Sequence, residues 1–214
     1  MRVLVACEFS GKVRDAFTAL GHDATSADLM PSETQGQHYQ GDVRDILDQD
    51  WDLMVAHPPC QYLSNSGAHW LHRQEGRWEK MREGAEFFRD LWEADIEHIA
   101  IENPIMHKYS KEIIGRGELV KQSQIVQPYW FGHDASKATG LWLKNLPLLT
   151  PTNMLVKDRY ANQTPSGQNK LGPSPDRWKL RSATYQGLAD AMAQQWSTYI
   201  EDKENRKTEV NNGD

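Results

Sequence analysis

At 214 residues, with 38% hydrophobic and 25% charged side chains, the sequence has the length and composition of a soluble globular chain with one substantial core. No apolar run approaches the ~20 residues that span a bilayer, and the N-terminus lacks the apolar stretch and cleavage site of a signal peptide, so a cytoplasmic setting is expected. Two cysteines, Cys7 and Cys60, make no disulfide framework, and a net charge of −6 argues against tight non-specific nucleic-acid binding unless a local basic patch supplies it.

Arg2 to Ala6 reads as a first strand. Gly11 to Leu20 has helical spacing, with Val13, Phe17 and Leu20 on one face and Gly21 as the stop. His22 to Ala27 is a weaker strand ending in Asp28, and Tyr39 to Val43 marks a third strand end at Gly41-Asp42. Trp51 to Ala56 is a fourth strand. A long helix is expected from about Glu75 to Asp95, through Met81, Ala85, Phe88, Leu91 and Trp92. His98 to Ile101 is the fifth strand.

Gln124 to Phe131 and Gly140 to Leu143 are late strands, expected as an antiparallel pair. The stretch 151–181 is rich in Pro, Gly, Asn, Gln and Lys and reads as a long polar loop. Thr184 to Ile200 is a helix with Leu188, Met192, Trp196 and Tyr199 on one face and Thr184 as candidate N-cap. Residues 201–214 are charged and are expected to be a disordered tail on a single domain of residues 1–200.

Alternating strands and helices imply an α/β fold, a mostly parallel sheet with helices on both faces. Ligands in such sheets lie beyond the carboxyl ends of the strands. Glu8, Asp28, Asp42, Cys60 and Glu102 all fall at such ends.

The chemistry concentrates in His57-Pro58-Pro59-Cys60-Gln61-Tyr62-Leu63-Ser64-Asn65-Ser66-Gly67, after the fourth strand, and Glu102-Asn103-Pro104, after the fifth. A thiol is an intrinsically good nucleophile once deprotonated. Added at C6 of cytosine, it makes C5 an enamine-like nucleophile, while a carboxylate bonds N3 and the exocyclic amine. The paired prolines stiffen the turn that presents the thiol. A metal centre built on His57, His69 and His72 is not expected, because their spacing lacks a carboxylate or thiolate cluster.

Pro59-Cys60-Gln61-x-Leu63-Ser64-x-x-Gly67 resembles the catalytic motif of cytosine-5 DNA methyltransferases, with Leu63 where that family usually has Phe. Glu102-Asn103-Pro104 resembles its Glu-Asn-Val motif, and the whole is similar to the short, phage-type members. The resemblance implies a class I methyltransferase fold, Rossmann-like; as a departure from the family, no separate target-recognition domain is expected, since only the stretch 151–181 stands in its place. It also implies S-adenosylmethionine as cofactor and a flipped-out cytosine of DNA as substrate, in the host cytoplasm for a phage protein.

Residue by residue, the resemblance makes Cys60 and Glu102 catalytic. Glu8, Phe9, Ser10, Gly11, Asp28, Asp42 and Pro58 fall to the cofactor. Pro59, Gln61, Ser64, Asn103 and Pro104 fall to the substrate. The basic residues Lys137, Arg177, Lys179 and Arg181 are candidates for DNA contact, alongside Lys157, Arg159 and Lys170 of the same polar loop. The family's Gln-x-Arg-x-Arg motif is not intact at Gln124-Ile125-Val126-Gln127, and Tyr185-Gln186-Gly187-Leu188 is a loose substitute for its late Gly-Asn motif. Three alternatives stay open: modification of a free pyrimidine nucleotide, an amino-methyltransferase related through His57-Pro58-Pro59-Cys60, and a non-catalytic binding protein on the same fold.

Overall fold

The computed structural model describes residues 1–65, 70–118, 120–166, 170, 172, 174, 175 and 177–211. Gly67 and His69 lie outside them. The strands are β1 (Arg2–Ala6), β2 (Asp23–Asp28), β3 (His38–Gln40), β4 (Leu53–Ala56), β5 (His98–Pro104), β6 (Gln124–Val126) and β7 (Thr139–Lys144). They form one seven-stranded sheet in the order β3-β2-β1-β4-β5-β7-β6. The first five are parallel, and β7 runs antiparallel between β5 and β6. A Rossmann-like sheet of this order with a reversed seventh strand is the class I methyltransferase fold expected from the sequence.

The helices are α1 (Lys12–Ala19), α2 (Arg77–Trp92), α3 (Lys108–Ile114), α4 (Arg177–Ser182) and α5 (Gln186–Asn211). Side chains alternate along each strand, so one strand feeds two cores. Val3, Val5, Leu53 and Val55 pack with Val13 and Phe17 of α1 and Met192, Trp196 and Ile200 of α5. Leu4, Met54, Ile99 and Ile101 pack on the opposite face with Met81, Ala85, Phe88 and Leu91 of α2. Burial on both faces is why these strands read as continuous apolar runs. Each fully buried large side chain contributes about 1.5–3 kcal/mol.

Several boundaries differ from the sequence expectation. The strand expected over Gln124 to Phe131 stops at Val126, because Pro128 opens a 3-10 turn, Pro128–Trp130. β5 runs on through Glu102 and Asn103 to Pro104, since β7 pairs with all three residues. α3 was not expected, and neither was α4, which lies in the stretch read as polar loop. α5 starts after Thr184: the amides of Leu188 and Ala189 donate to the Tyr185 carbonyl. It also continues into the expected tail as far as Asn211, where Lys203 (3.0 Å) and Lys207 (3.7 Å) reach Glu97.

Candidate active site

Parallel register builds the site. Ala27, Ala6, Ala56 and Ile101 lie side by side across β2, β1, β4 and β5. The next residue of each strand therefore makes a second row, Asp28, Cys7, His57 and Glu102. This row sits at the carboxyl end of the sheet, where ligands bind in open α/β folds.

A cleft opens above that row. It is lined on one side by Glu8, Phe9 and Ser10, on the floor by His57 to Cys60, Glu102 and Pro104, and over the mouth by Lys137 and Arg181 to Thr184. Of the residues expected at the site, it gathers Glu8, Phe9, Ser10, Pro58, Pro59, Cys60, Glu102, Pro104, Lys137 and Arg181. Gly11, Asp28, Asp42, Gln61, Ser64, Asn103, Arg177 and Lys179 do not line it.

The turn carrying the thiol is held from below. The Asn103 side-chain amide, fully buried, donates to the Pro58 carbonyl at 3.0 Å. After Cys60 the chain closes on itself, with the amides of Leu63 and Ser64 donating to the Cys60 carbonyl. The Leu63 carbonyl then accepts from the His107 amide and from the Ser110 hydroxyl at the start of α3. Arg77 of α2 donates to the Gln61 carbonyl at 3.0 Å and lies over the Tyr62 ring. Ser64 is buried in this packing, in a bridge to Met106, rather than in the cleft.

The charges around the thiol oppose one another. Burial and the nearby Glu102 carboxylate push the Cys60 thiol up, while Lys137 and Arg181 pull the other way and only partly offset them. Burial alone raises Glu102. The hydrogen bond from His57 (3.4 Å, Nδ1 to Oε2), the charge of Lys137 and a hydrogen bond from Thr139 outweigh it and hold Glu102 below the usual carboxylate range. Cys7, which also lines the cleft, is pushed far up by burial and then by the charges of Asp28 and Asp42. It stands at the start of the turn with φ 58, a backbone region that costs a non-glycine residue about 1–3 kcal/mol.

The other expected contacts divide. Glu8 caps α1: its carboxylate accepts from the amides of Val13 (2.7 Å) and Arg14 (3.1 Å) and from the Ser10 hydroxyl (3.2 Å). That accounts for an acid where a glycine-rich loop commonly has a small residue. Gly11 has φ 73, and a Cβ there would strike Thr34 and Arg14. Asp28 is raised by burial, partly offset by backbone hydrogen bonds from the Met30 amide, which donates to its Oδ1, and from Leu29. Both Asp42 oxygens are engaged by Arg44, which lowers that carboxyl. Lys179 pairs with Glu33 and lies over the Phe9 ring. Lys137 donates to the Arg181 carbonyl and Lys12 to the Thr184 carbonyl, so two ammonium groups clamp the segment that crosses the mouth.

Sequence reasoning missed the pairing of His57 with Glu102 and the place of Ser182, Ala183 and Thr184 in the cleft lining. The sequence offers His57 as a metal ligand or as part of His57-Pro58-Pro59-Cys60, although it stands one residue past Ala56 and so level with Glu102. Among the described residues, no group of three or more His, Cys, Asp or Glu is arranged to hold a metal ion, and no helix is long and apolar enough to cross a membrane.

No protein-family model and no curated protein matches the chain. Among solved structures it is similar to a putative DNA modification methyltransferase encoded within an E. coli prophage, at 15% identity over 72% of this chain and 51% of that one, with a TM-score of 0.46. It is also similar to the Entamoeba histolytica methyltransferase EhMeth (16% identity, 74% and 57% covered, TM-score 0.45). A third likeness is to the S. pombe Dnmt2 methyltransferase (16% identity, 69% and 51% covered, TM-score 0.43). The chain spans about half the length of these structures.

Proposed function

We propose that this chain transfers a methyl group from S-adenosylmethionine to C5 of cytosine in DNA, through a covalent bond between Cys60 and C6 of the base. The observation that carries the proposal is the meeting of Cys60 and Glu102 in one cleft, with Lys137 and Arg181 beside them. Thiol, acid and cations are the groups that addition to an electron-poor pyrimidine requires. The base enters the cleft flipped out of its stack.

The residues at the strand ends suit the cofactor by their donor chemistry. Asp28, at the end of β2, offers a carboxylate to a ribose diol, and Phe9 offers a ring wall. Asp42, committed to Arg44, and Glu8, committed to α1, act on this side of the cleft through the structure they hold. When bound, S-adenosylmethionine supplies an electrophilic methyl group.

Cys60 forms the Sγ–C6 bond. Glu102 accepts from the exocyclic amine and holds the proton that N3 takes up. C5 becomes nucleophilic; after alkylation its proton leaves and Cys60 is expelled. Lys137 and Arg181 stabilise the thiolate and reach toward the backbone phosphates. The basic residues of 151–181 contribute to target choice.

The test is transfer of labelled methyl from S-adenosylmethionine to cytosine-containing DNA, followed by nucleoside analysis. The expected product is 5-methylcytosine, made by the wild type and not by Cys60→Ser, with cofactor affinity unchanged. Full activity in Cys60→Ser, or N4-methylcytosine as product, overturns the covalent reading. Labelling of free cytidine nucleotides and not DNA points to the nucleotide alternative.

A further inference from the structure

The two groups at the centre of the cleft start in the wrong protonation states for the addition proposed above. Burial and the Glu102 charge hold Cys60 as a thiol, and its partners hold Glu102 as a carboxylate. Addition needs the reverse: a sulfur without its proton, and an acid that presents one to N3. One proton has to cross from sulfur to carboxylate.

The titratable groups lining the cleft are Cys7, Glu8, His57, Cys60, Glu102, Lys137 and Arg181. Glu8 is occupied by the α1 amides. Cys7 is a buried thiol and a poorer acceptor than any carboxylate. Lys137 and Arg181 are cations and accept nothing. His57 differs. Its side chain is 8% exposed, its Nδ1 faces Glu102 Oε2 at 3.4 Å, and its Nε2 is buried with no hydrogen-bond partner among the described residues. An imidazole that donates from Nδ1 is left with Nε2 as an acceptor. It stands three residues before the thiol, at the start of the Pro58–Pro59 turn.

We propose that His57 is a proton relay between Cys60 and Glu102, an inference that rests on the C5 reading above. When the cleft is filled, the thiol turns onto the imidazole, a tightening common as catalytic groups close on substrate. The S–H bond breaks and its proton passes to Nε2. The Nδ1–H bond breaks and that proton passes through Glu102 to N3. The sulfur pair forms the bond to C6, the C5–C6 π pair moves to C4–C5, and the C4–N3 π pair takes up the proton. The imidazole ends neutral, as it began. Expulsion of Cys60 runs the relay backwards: N3 returns its proton to Glu102, His57 returns one to sulfur, and the C5 proton is the one released.

The test is His57→Asn, whose side-chain amide still donates to Glu102 but cannot pass a proton on. Methyl transfer should fall about 100-fold in kcat, within the range for lost acid–base assistance, while cofactor affinity by calorimetry stays the same. The activity of the variant should climb more steeply toward alkaline pH than that of the wild type, because its thiolate then forms only by direct ionisation of Cys60. Wild-type kcat and pH profile in His57→Asn overturn the relay. His57→Gln serves where the Asn variant does not fold. A wild type that methylates no cytosine overturns the C5 reading instead. Iodoacetamide alkylation of Cys60 near neutral pH then decides the relay alone: several-fold slower in His57→Asn supports it, and equal rates overturn it.

Discussion

Asn103→Ala is the sharpest probe of how the thiol is presented. The residue is fully buried, and its amide is the one side-chain bond to the Pro58 carbonyl among the described residues. Truncation removes a net hydrogen bond worth about 1 kcal/mol and strands a buried carbonyl at a further ~1–3 kcal/mol. Asn103 Oδ1 has no partner among the described residues, so its removal returns part of that cost. A net loss of about 2 kcal/mol corresponds to a melting point lowered by ~4–8 °C for a chain of this size. The freed turn also exposes Cys60, so alkylation of Cys60, read by peptide mass, should accelerate while Cys7 stays protected by burial. Differential scanning calorimetry supplies the first number. A melting point unchanged to within about 1 °C, below what ~0.5 kcal/mol would shift, together with wild-type alkylation, would refute the assignment of Asn103 as the support of the turn.

Two further outcomes follow from the charges. Glu102 is ionised across neutral pH and raises Cys60, so Glu102→Gln should shift the alkylation midpoint of Cys60 to lower pH; a midpoint that stays put or rises contradicts that coupling. Asp28→Ala should weaken S-adenosylmethionine binding by titration calorimetry while leaving Cys60 alkylation alone, and unchanged affinity removes Asp28 from the cofactor's site.

The parts legible in the sequence were those written by one local rule. β1, β4 and β5 are buried on both faces, so their apolar runs stand out. The Pro58–Pro59 turn and Glu102-Asn103-Pro104 stand out by chemistry. What stayed hidden depends on partners far away in sequence. Glu102 and Asn103 look like the end of a strand, yet they lie inside β5 because β7, some forty residues on, pairs with them. Glu8 looks like a ligand residue until the α1 amides are seen to fill its oxygens. His57 gains meaning only from register, which sets it level with Glu102. The clamp of Lys12 and Lys137 on the segment Arg181–Thr184 spans 172 and 44 residues, and no periodicity announces it.

The covalent bond between Cys60 and cytosine is the centre of the account. Its most direct test is intact-mass and denaturing-gel analysis of the protein with S-adenosylmethionine and DNA carrying 5-fluorocytosine, whose fluorine cannot leave as the C5 proton does. The predicted result is a stable protein–DNA adduct mapped to Cys60 and lost in Cys60→Ser. Release of methylated, unmodified-protein product without any adduct, or an adduct that persists in Cys60→Ser, would contradict it.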